Sequence, residues 1–372
     1  MTADRARAMR MASLLLRPGT GDQPAGMADE ADMAGVAGVV SWFGAMQAQD
    51  LNSALWSLGV RLPGSTEADV RAALERREAL RTWPMRGTVH LVPARDARWM
   101  VEVLGKRALA GTTARWVALG LDRTVADQAV DVLGKALSGG GRLTRAQCLQ
   151  AINQAGIDTG GQRGYHLLWY ASQRGVTCIA PSIGSEQTFV LLDEWVPDPH
   201  RPDRDEALGI ITRRYFRSHG PAARDDLARW TGMTVTDAKR GIAVAGDALE
   251  RVTVDGREML VAAGSQVPPG RYDDVVALPG FDEYLLGFQD RSLFLADEHR
   301  QAIVPGGNGV FQPTVVRAGR VVATWRRAPG RNRAAVQVKP LTTITAAGQR
   351  KIGRALEPYA RFVGGPLVVS FG

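Results

Sequence analysis

Three times along this chain, a group of amphipathic helices is followed by two short strands meeting at a tight turn, and this recurrence constrains the fold more than any other feature. It has no fixed period, and no low-complexity tract accompanies it. The first group predicts helices over residues 5–16, 33–46, 51–58 and 67–77, with a polar, glycine-bearing loop before residue 33. Thr66-Glu-Ala-Asp69 reads as a capping box, in which a hydroxyl and an acid satisfy each other's main-chain N–H groups. Strands over 80–85 and 88–92 meet at Arg86-Gly87, Pro93 ends the ribbon, and 95–103 reads as helix. The second group has helices over 125–137, 145–155 and 164–174 and strands over 176–180 and 188–192. The third has helices over 206–218, 222–230 and 235–245, then strands over 251–254 and 258–261 around Asp255-Gly256, a strong hairpin signal.

Three helices and a β-ribbon make the winged-helix plan, a helix-turn-helix with a hairpin that serves many proteins as a DNA-groove reader and others as a scaffold. The rest of the chain is β-rich, with strands over 311–316, 320–326 and 334–340, an Ala318-Gly319 turn, a helix over 343–361 and a last extended segment over 366–371. The expected class is α+β: tandem winged-helix domains over 1–115, 116–200 and 201–264, and a β-rich scaffold over 265–372.

Composition narrows the functional classes. At 372 residues the chain can bury two or three cores, and 45% hydrophobic residues exclude a disordered chain. Apolar runs are broken by glycine and fall short of the ~20 residues a membrane span needs. The basic N-terminus lacks the uninterrupted apolar stretch of a signal peptide. Cys148 and Cys178 fit reduced thiols better than a disulfide framework, so the expected compartment is the cytoplasm, with nucleoid association when DNA is bound. The net charge of +8 comes from 41 arginines and only five lysines. Arginine suits bidentate phosphate contacts, but a GC-rich genome also produces such a bias.

No Walker loop, dinucleotide fingerprint, Gly-x-Ser-x-Gly elbow or metal-ligand spacing occurs, so no cofactor and no metal are expected. Four segments carry candidate chemistry, each with a plainer reading beside it. Gln47, Gln49 and Asp50 follow an apolar helix. Positions two apart share a side only if the helix has ended near Met46; otherwise they cap a helix junction, with Asp50 as N-cap. In Arg81-Thr-Trp-Pro-Met-Arg-Gly-Thr-Val-His90, Arg81, Arg86 and Thr88 suit phosphate contact from a hairpin, while His90 reads as a support for chemistry or as a satisfied structural histidine. Asp282, Glu283 and Tyr284 are either paired acids beside an aromatic or a buried turn followed by an Asp290/Arg291 pair. Arg326, Arg327, Arg331, Asn332 and Arg333 cluster at one hairpin tip, either a groove-inserting wing or a solvated turn.

Together, Met46-Gln-Ala-Gln-Asp50, Arg86-Gly-Thr-Val-His-Leu-Val-Pro93, His219-Gly-Pro, Trp230-Thr-Gly232, Leu278-Pro-Gly-Phe-Asp-Glu-Tyr284 and Gly319-Arg-Val-Val-Ala-Thr-Trp-Arg326 resemble the AlkZ/YcaQ family of winged-helix DNA glycosylases. The resemblance runs in order over nearly the whole chain. The Gln-x-Gln form, rather than Gln-x-Asp, lies nearer the AlkZ branch, which is associated with self-resistance to DNA-alkylating natural products. The resemblance implies tandem winged helices on a β-rich scaffold, curved like a C. It implies a monofunctional glycosylase acting on double-stranded DNA at cationic N7-alkylguanine, including bulky adducts and interstrand crosslinks. It maps catalysis onto Gln47 and Gln49, with Asp50 and His90 as possible support, and DNA contact onto the Arg326–Arg333 tip; a monomer is expected. Three competing readings stay open: a non-catalytic winged-helix regulator or damage-binding protein, a housekeeping repair glycosylase tolerant of small adducts, which an acidic residue at position 49 would have favoured, and a protein-interaction scaffold.

Overall fold

The computed structural model describes residues 1–16, 35–266 and 273–372. Met33 and the polar loop before it lie outside the described residues. The chain is mixed α+β and divides into two compact units, one of residues 1–70, 208–230 and 234–372, the other of residues 71–207 and 231–233.

The helix, helix, helix, hairpin order recurs as the hydrophobic pattern anticipates. It runs through helices Gly35–Phe43, Leu51–Gly59 and Glu67–Glu75 to strands Ala79–Met85 and Thr88–Pro93. Next come helices Arg123–Leu137, Arg145–Gln154 and Arg163–Gln173 with strands Thr177–Ile183 and Glu186–Leu191. The third series is Arg204–His219, Arg224–Thr231 and Val235–Ala245, then Leu249–Val254 and Arg257–Ala262. The capping box at Thr66 is present, with Thr66 N–H to Asp69 Oδ2 at 2.8 Å and Asp69 N–H to Thr66 Oγ1 at 3.2 Å. The hairpin turns Arg86-Gly87, Asp255-Gly256 and Ala318-Gly319 all place both residues at positive φ, the requirement of a tight turn matched to strand twist.

The second unit holds one antiparallel sheet in which the first two hairpins are joined, in the order Thr88–Pro93, Ala79–Met85, Thr177–Ile183, Glu186–Leu191, Leu143–Thr144. The two ribbons are joined edge to edge in this sheet: Arg81 pairs with Ile179, and strand Ala79–Met85 is buried along its whole length. Two short helices, Lys106–Ala110 and Thr113–Ala118, are additional to the sequence expectation.

The first unit carries the five-stranded sheet of the C-terminal region, ordered Val368–Phe371, Ala335–Pro340, Arg320–Arg327, Thr314–Arg317, Val275–Leu278. The outermost pair of Ala335–Pro340 and Val368–Phe371 is parallel, the others antiparallel. Helix Ala346–Val363 lies against this sheet and against Leu51–Gly59. Tyr359 is edge-on to Trp56 at 5.3 Å and to Trp325 at 4.9 Å, and Phe362 lies 5.3 Å from Trp56. Gly59 makes the approach possible, since a Cβ there would meet the Phe362 ring at 2.5 Å. Among the described residues, no helix is long and apolar enough to cross a membrane.

Candidate active site

The segment bearing the two glutamines is shaped by the end of the apolar helix before it. Helix Gly35–Phe43 stops at Gly44, whose φ of +82 lies in the left-handed region open to glycine, and whose N–H reaches Val40 O at 2.8 Å. Arg217 closes the helix end by donating to Ser41 O at 3.1 Å and Trp42 O at 3.0 Å, with its guanidinium 4.4 Å over the Trp42 ring. Burial, and the neighbouring Arg214 after it, bring the Arg217 pKa down to about 10.

From there the chain runs through a two-residue strand, Met46–Gln47, to a bend at residues 49–50. Met46 and Ala48 turn into the core, whereas Gln47 is half-buried and Gln49 exposed. Burial alternates over residues 46–49, so Gln47 and Gln49 both lie outside the core that takes Met46 and Ala48. Asp50 is the N-cap of helix Leu51–Gly59, its Oδ1 accepting from Ser53 N–H at 2.7 Å. Its carboxylate thus has a capping role that holds the next helix directly behind Gln49.

Behind Gln47 stands a buried carboxylate. Glu283 is 1% exposed. Its Oε1 accepts the Gln47 main-chain N–H at 2.8 Å, and its Oε2 accepts Trp230 Nε1–H at 2.8 Å. His219 Nε2 lies 3.6 Å from Oε2, in ion-pair rather than hydrogen-bond range. Burial alone would push the Glu283 carboxyl up, but His219, the Gln47 N–H and the Trp230 N–H outweigh it and hold the group at about 2. The neighbouring Asp282 is neutralised separately, accepting from Arg61 through both oxygens at 2.8 and 3.0 Å and capping helix Glu283–Leu286 through Tyr284 N–H at 2.9 Å. The alternative reading of an Asp290/Arg291 pair does not hold: Asp290 is paired with Arg257, and Arg291 donates to Leu285 O at 2.6 Å.

The second unit places the other candidate hairpin as follows. Arg81 is buried within the sheet and its pKa is brought down to about 10 by desolvation, with Arg71 adding to it. It is not the exposed cation that phosphate contact from a ribbon would use. Arg86 occupies the turn, and its Nη2 lies 3.0 Å from His90 Nε2. His90 is fully buried, and its Nδ1 is 2.9 Å from Thr88 O. A carbonyl can only accept and a guanidinium only donate, so the ring is neutral with its proton on Nδ1. His90 thereby braces Arg86 against the strand that carries Thr88.

At the C-terminal hairpin, three of the five clustered side chains already have partners. Arg326 donates to Gln337 Oε1 at 3.0 and 2.8 Å, Arg333 is ion-paired with Glu67, and Asn332 holds Pro366 O at 2.9 Å. Arg327 and Arg331 are exposed and make no hydrogen bond or ion pair among the described residues. Also among the described residues, no three His, Cys, Asp or Glu side chains gather in a way that could hold a metal ion.

Sequence reasoning reached Glu283 only as one of two unresolved adjacent acids, and gave Trp230 and His219 no chemical role. The available signal was hydrophobic context: an acid pair between Phe281 and the apolar Tyr284-Leu-Leu286 must be buried, and buried acids need donors.

Known proteins resemble this chain. A protein of Streptomyces sahachiroi named interstrand DNA cross-link repair glycosylase is 28% identical over 299 residues, covering 75% of this chain and 79% of that protein. The solved structure of Streptomyces sahachiroi DNA glycosylase AlkZ shares the fold at a TM-score of 0.80 with 23% identity, covering 100% of both chains. Residues 40–362 match the family described as DNA glycosylase AlkZ-like, a stretch running from the helix before Gln47 to the end of the C-terminal helix, and the chain belongs to that family.

Proposed function

We propose that this protein is a monofunctional DNA glycosylase that hydrolyses the N-glycosidic bond of cationic N7-alkylguanine in duplex DNA, including bulky adducts and the interstrand crosslinks named for its relative. The observation that supports this reading is that Gln47 and Gln49 both lie outside the core that takes Met46 and Ala48, between an apolar helix and one capped by Asp50.

The chemistry suits such a site. Alkylation at N7 leaves the purine positively charged, so it departs without strong acid catalysis and C1′ develops oxocarbenium character. The attacking water then needs orientation more than deprotonation. Glutamine is a negligible base, but its amide offers both an acceptor and two donors. Gln49 would hold the water near C1′, and Gln47 would fix that water or contact the deoxyribose. The motif has no amine nucleophile, so the product is an abasic site with the strand intact. A crosslinked base is tethered to the opposite strand and cannot be flipped into a closed pocket, which calls for an open site unlike those of base-flipping enzymes.

In this reading the three helix-and-hairpin series act as winged-helix modules on the duplex, and Arg327 and Arg331 supply groove or phosphate contact. The test is incubation with a duplex carrying N7-methylguanine, followed by alkaline cleavage at abasic sites. The unsubstituted protein is expected to excise the methylated base and to leave neutral lesions in place, and the Gln47→Ala/Gln49→Ala variant is expected to lose excision while keeping its melting profile. Full activity in the double variant would overturn the assignment. DNA binding without alkali-labile sites would point instead to a damage-binding protein.

A further inference from the structure

Glu283 is an expensive side chain to bury, at 1% exposure. Its neighbour Asp282 already caps the short helix and is already neutralised by Arg61. A second buried carboxylate one residue on must be offset again, and a dedicated set of groups does so. His219 is stacked on Tyr215 at 4.7 Å, sits edge-on to Phe43 at 5.7 Å and receives or gives a 2.8 Å hydrogen bond with Ser218 Oγ through Nδ1. Gly287 leaves room for it, since a Cβ there would lie 2.2 Å from His219 Cδ2. Trp230 brings its indole N–H to the same carboxylate. What this assembly delivers is one oxygen, Oε1, to the main-chain N–H of Gln47. A charge-assisted bond of this kind is stronger and more directional than a neutral one.

We propose that Glu283, oriented by Trp230 and His219, is a positioning residue that fixes the main chain at Gln47 and so aims the Gln47 and Gln49 side chains at their target. This rests on the glycosylase reading of the two glutamines. It acts through the backbone and touches no substrate, so its effect should fall on the excision step and spare DNA affinity. Small misplacements of orienting groups lower rates steeply, by up to ~100-fold for ~1 Å.

The geometry supplies a test that a merely structural role would fail. Gln47 N–H and Trp230 Nε1–H donate to different oxygens of Glu283, and in Glu283→Gln one of those oxygens becomes an NH2 that can only donate, so one bond is lost. Adding Trp230→Phe removes the competing donor and returns the oxygen to Gln47. Single-turnover excision of N7-methylguanine is measured with enzyme in excess, alongside Kd for a duplex containing a tetrahydrofuran abasic analogue. The expected result for Glu283→Gln is a rate at least tenfold lower with Kd unchanged within twofold, and Glu283→Gln/Trp230→Phe is expected to be faster than Glu283→Gln alone. A folded Glu283→Gln protein with a rate within twofold of the unsubstituted protein, or a double variant slower than the single, would overturn the proposal. Should Glu283→Gln not fold, Trp230→Phe alone decides: a rate at least threefold lower at unchanged Kd supports the proposal, and an unchanged rate overturns it. Gln47→Ala/Gln49→Ala runs in parallel. If that variant is inactive while Glu283→Gln is fully active, only the positioning role fails; if it is fully active, the reading of the glutamines fails with it.

Discussion

The carboxylate of Glu283 accepts the main-chain N–H of Gln47 at 2.8 Å, joining residues 236 positions apart in sequence. It couples the segment that carries the glutamines to the turn that begins the short helix Glu283–Leu286, and it does so with a charge buried among aromatic rings.

Acid should therefore loosen this junction. The Glu283 pKa is held at about 2, below its ordinary value of 4.5, so the folded state binds its proton less readily than the unfolded chain. Its contribution to stability is fully present above about pH 5 and is lost as pH falls through 4.5 toward 2. Thermal melts of the unsubstituted protein and Glu283→Gln should differ most near pH 7, and the gap should narrow steadily below pH 5. A gap independent of pH between 7 and 3 would show that the ionised carboxylate contributes nothing.

The pair beside it should be the more costly to break. Arg61 and Asp282 are both fully buried and bonded through two oxygens. Removing one partner strands the other charge, so Arg61→Ala should destabilise the protein by about 3–5 kcal/mol, measured by urea or thermal unfolding. A loss below about 1 kcal/mol would mean that water enters and solvates Asp282.

DNA affinity should track the unengaged arginines of the C-terminal hairpin. Arg333 is tied to Glu67 and Arg326 to Gln337, whereas Arg327 and Arg331 are exposed. Arg327→Glu with Arg331→Glu should weaken duplex binding by about tenfold or more near physiological salt and lower the salt slope by about 2, while Arg333→Ala should do less. Anisotropy titrations across a salt series would check both. Equal effects of the two changes would show that the Glu67 pair opens on binding.

The cysteines should be inert. Cys148 and Cys178 are both buried, and burial pushes the Cys148 thiol up to about 12 and that of Cys178 higher still. An aromatic disulfide reagent at pH 8 should label neither in the native protein and both after unfolding. Labelling of the native protein at a rate independent of denaturant would contradict this packing.

Much of the architecture was legible in local chemistry. Helix and strand periods, the capping box at Thr66 and the turn dipeptides at Gly87, Gly256 and Gly319 are encoded within a few residues, because caps and tight turns are short-range hydrogen-bond problems. The glutamine pair was visible too, but its geometry depended on where the preceding helix stops. Gly44 and Arg217 end it at Phe43, and an arginine 173 residues downstream of Gly44 has no signature in the local sequence.

Along the chain alone, the order of the main helices and hairpins was determined, since it follows from hydrophobic period and turn chemistry, while the motif residues were picked out by the family resemblance. Tertiary structure decided which charges are available and which are spent. It buried Arg81 in a shared sheet, paired Arg333 with Glu67 and set Glu283 behind Gln47. The physical reason is that desolvation and charge pairing depend on what surrounds a side chain in space, and those neighbours come from segments far apart along the chain.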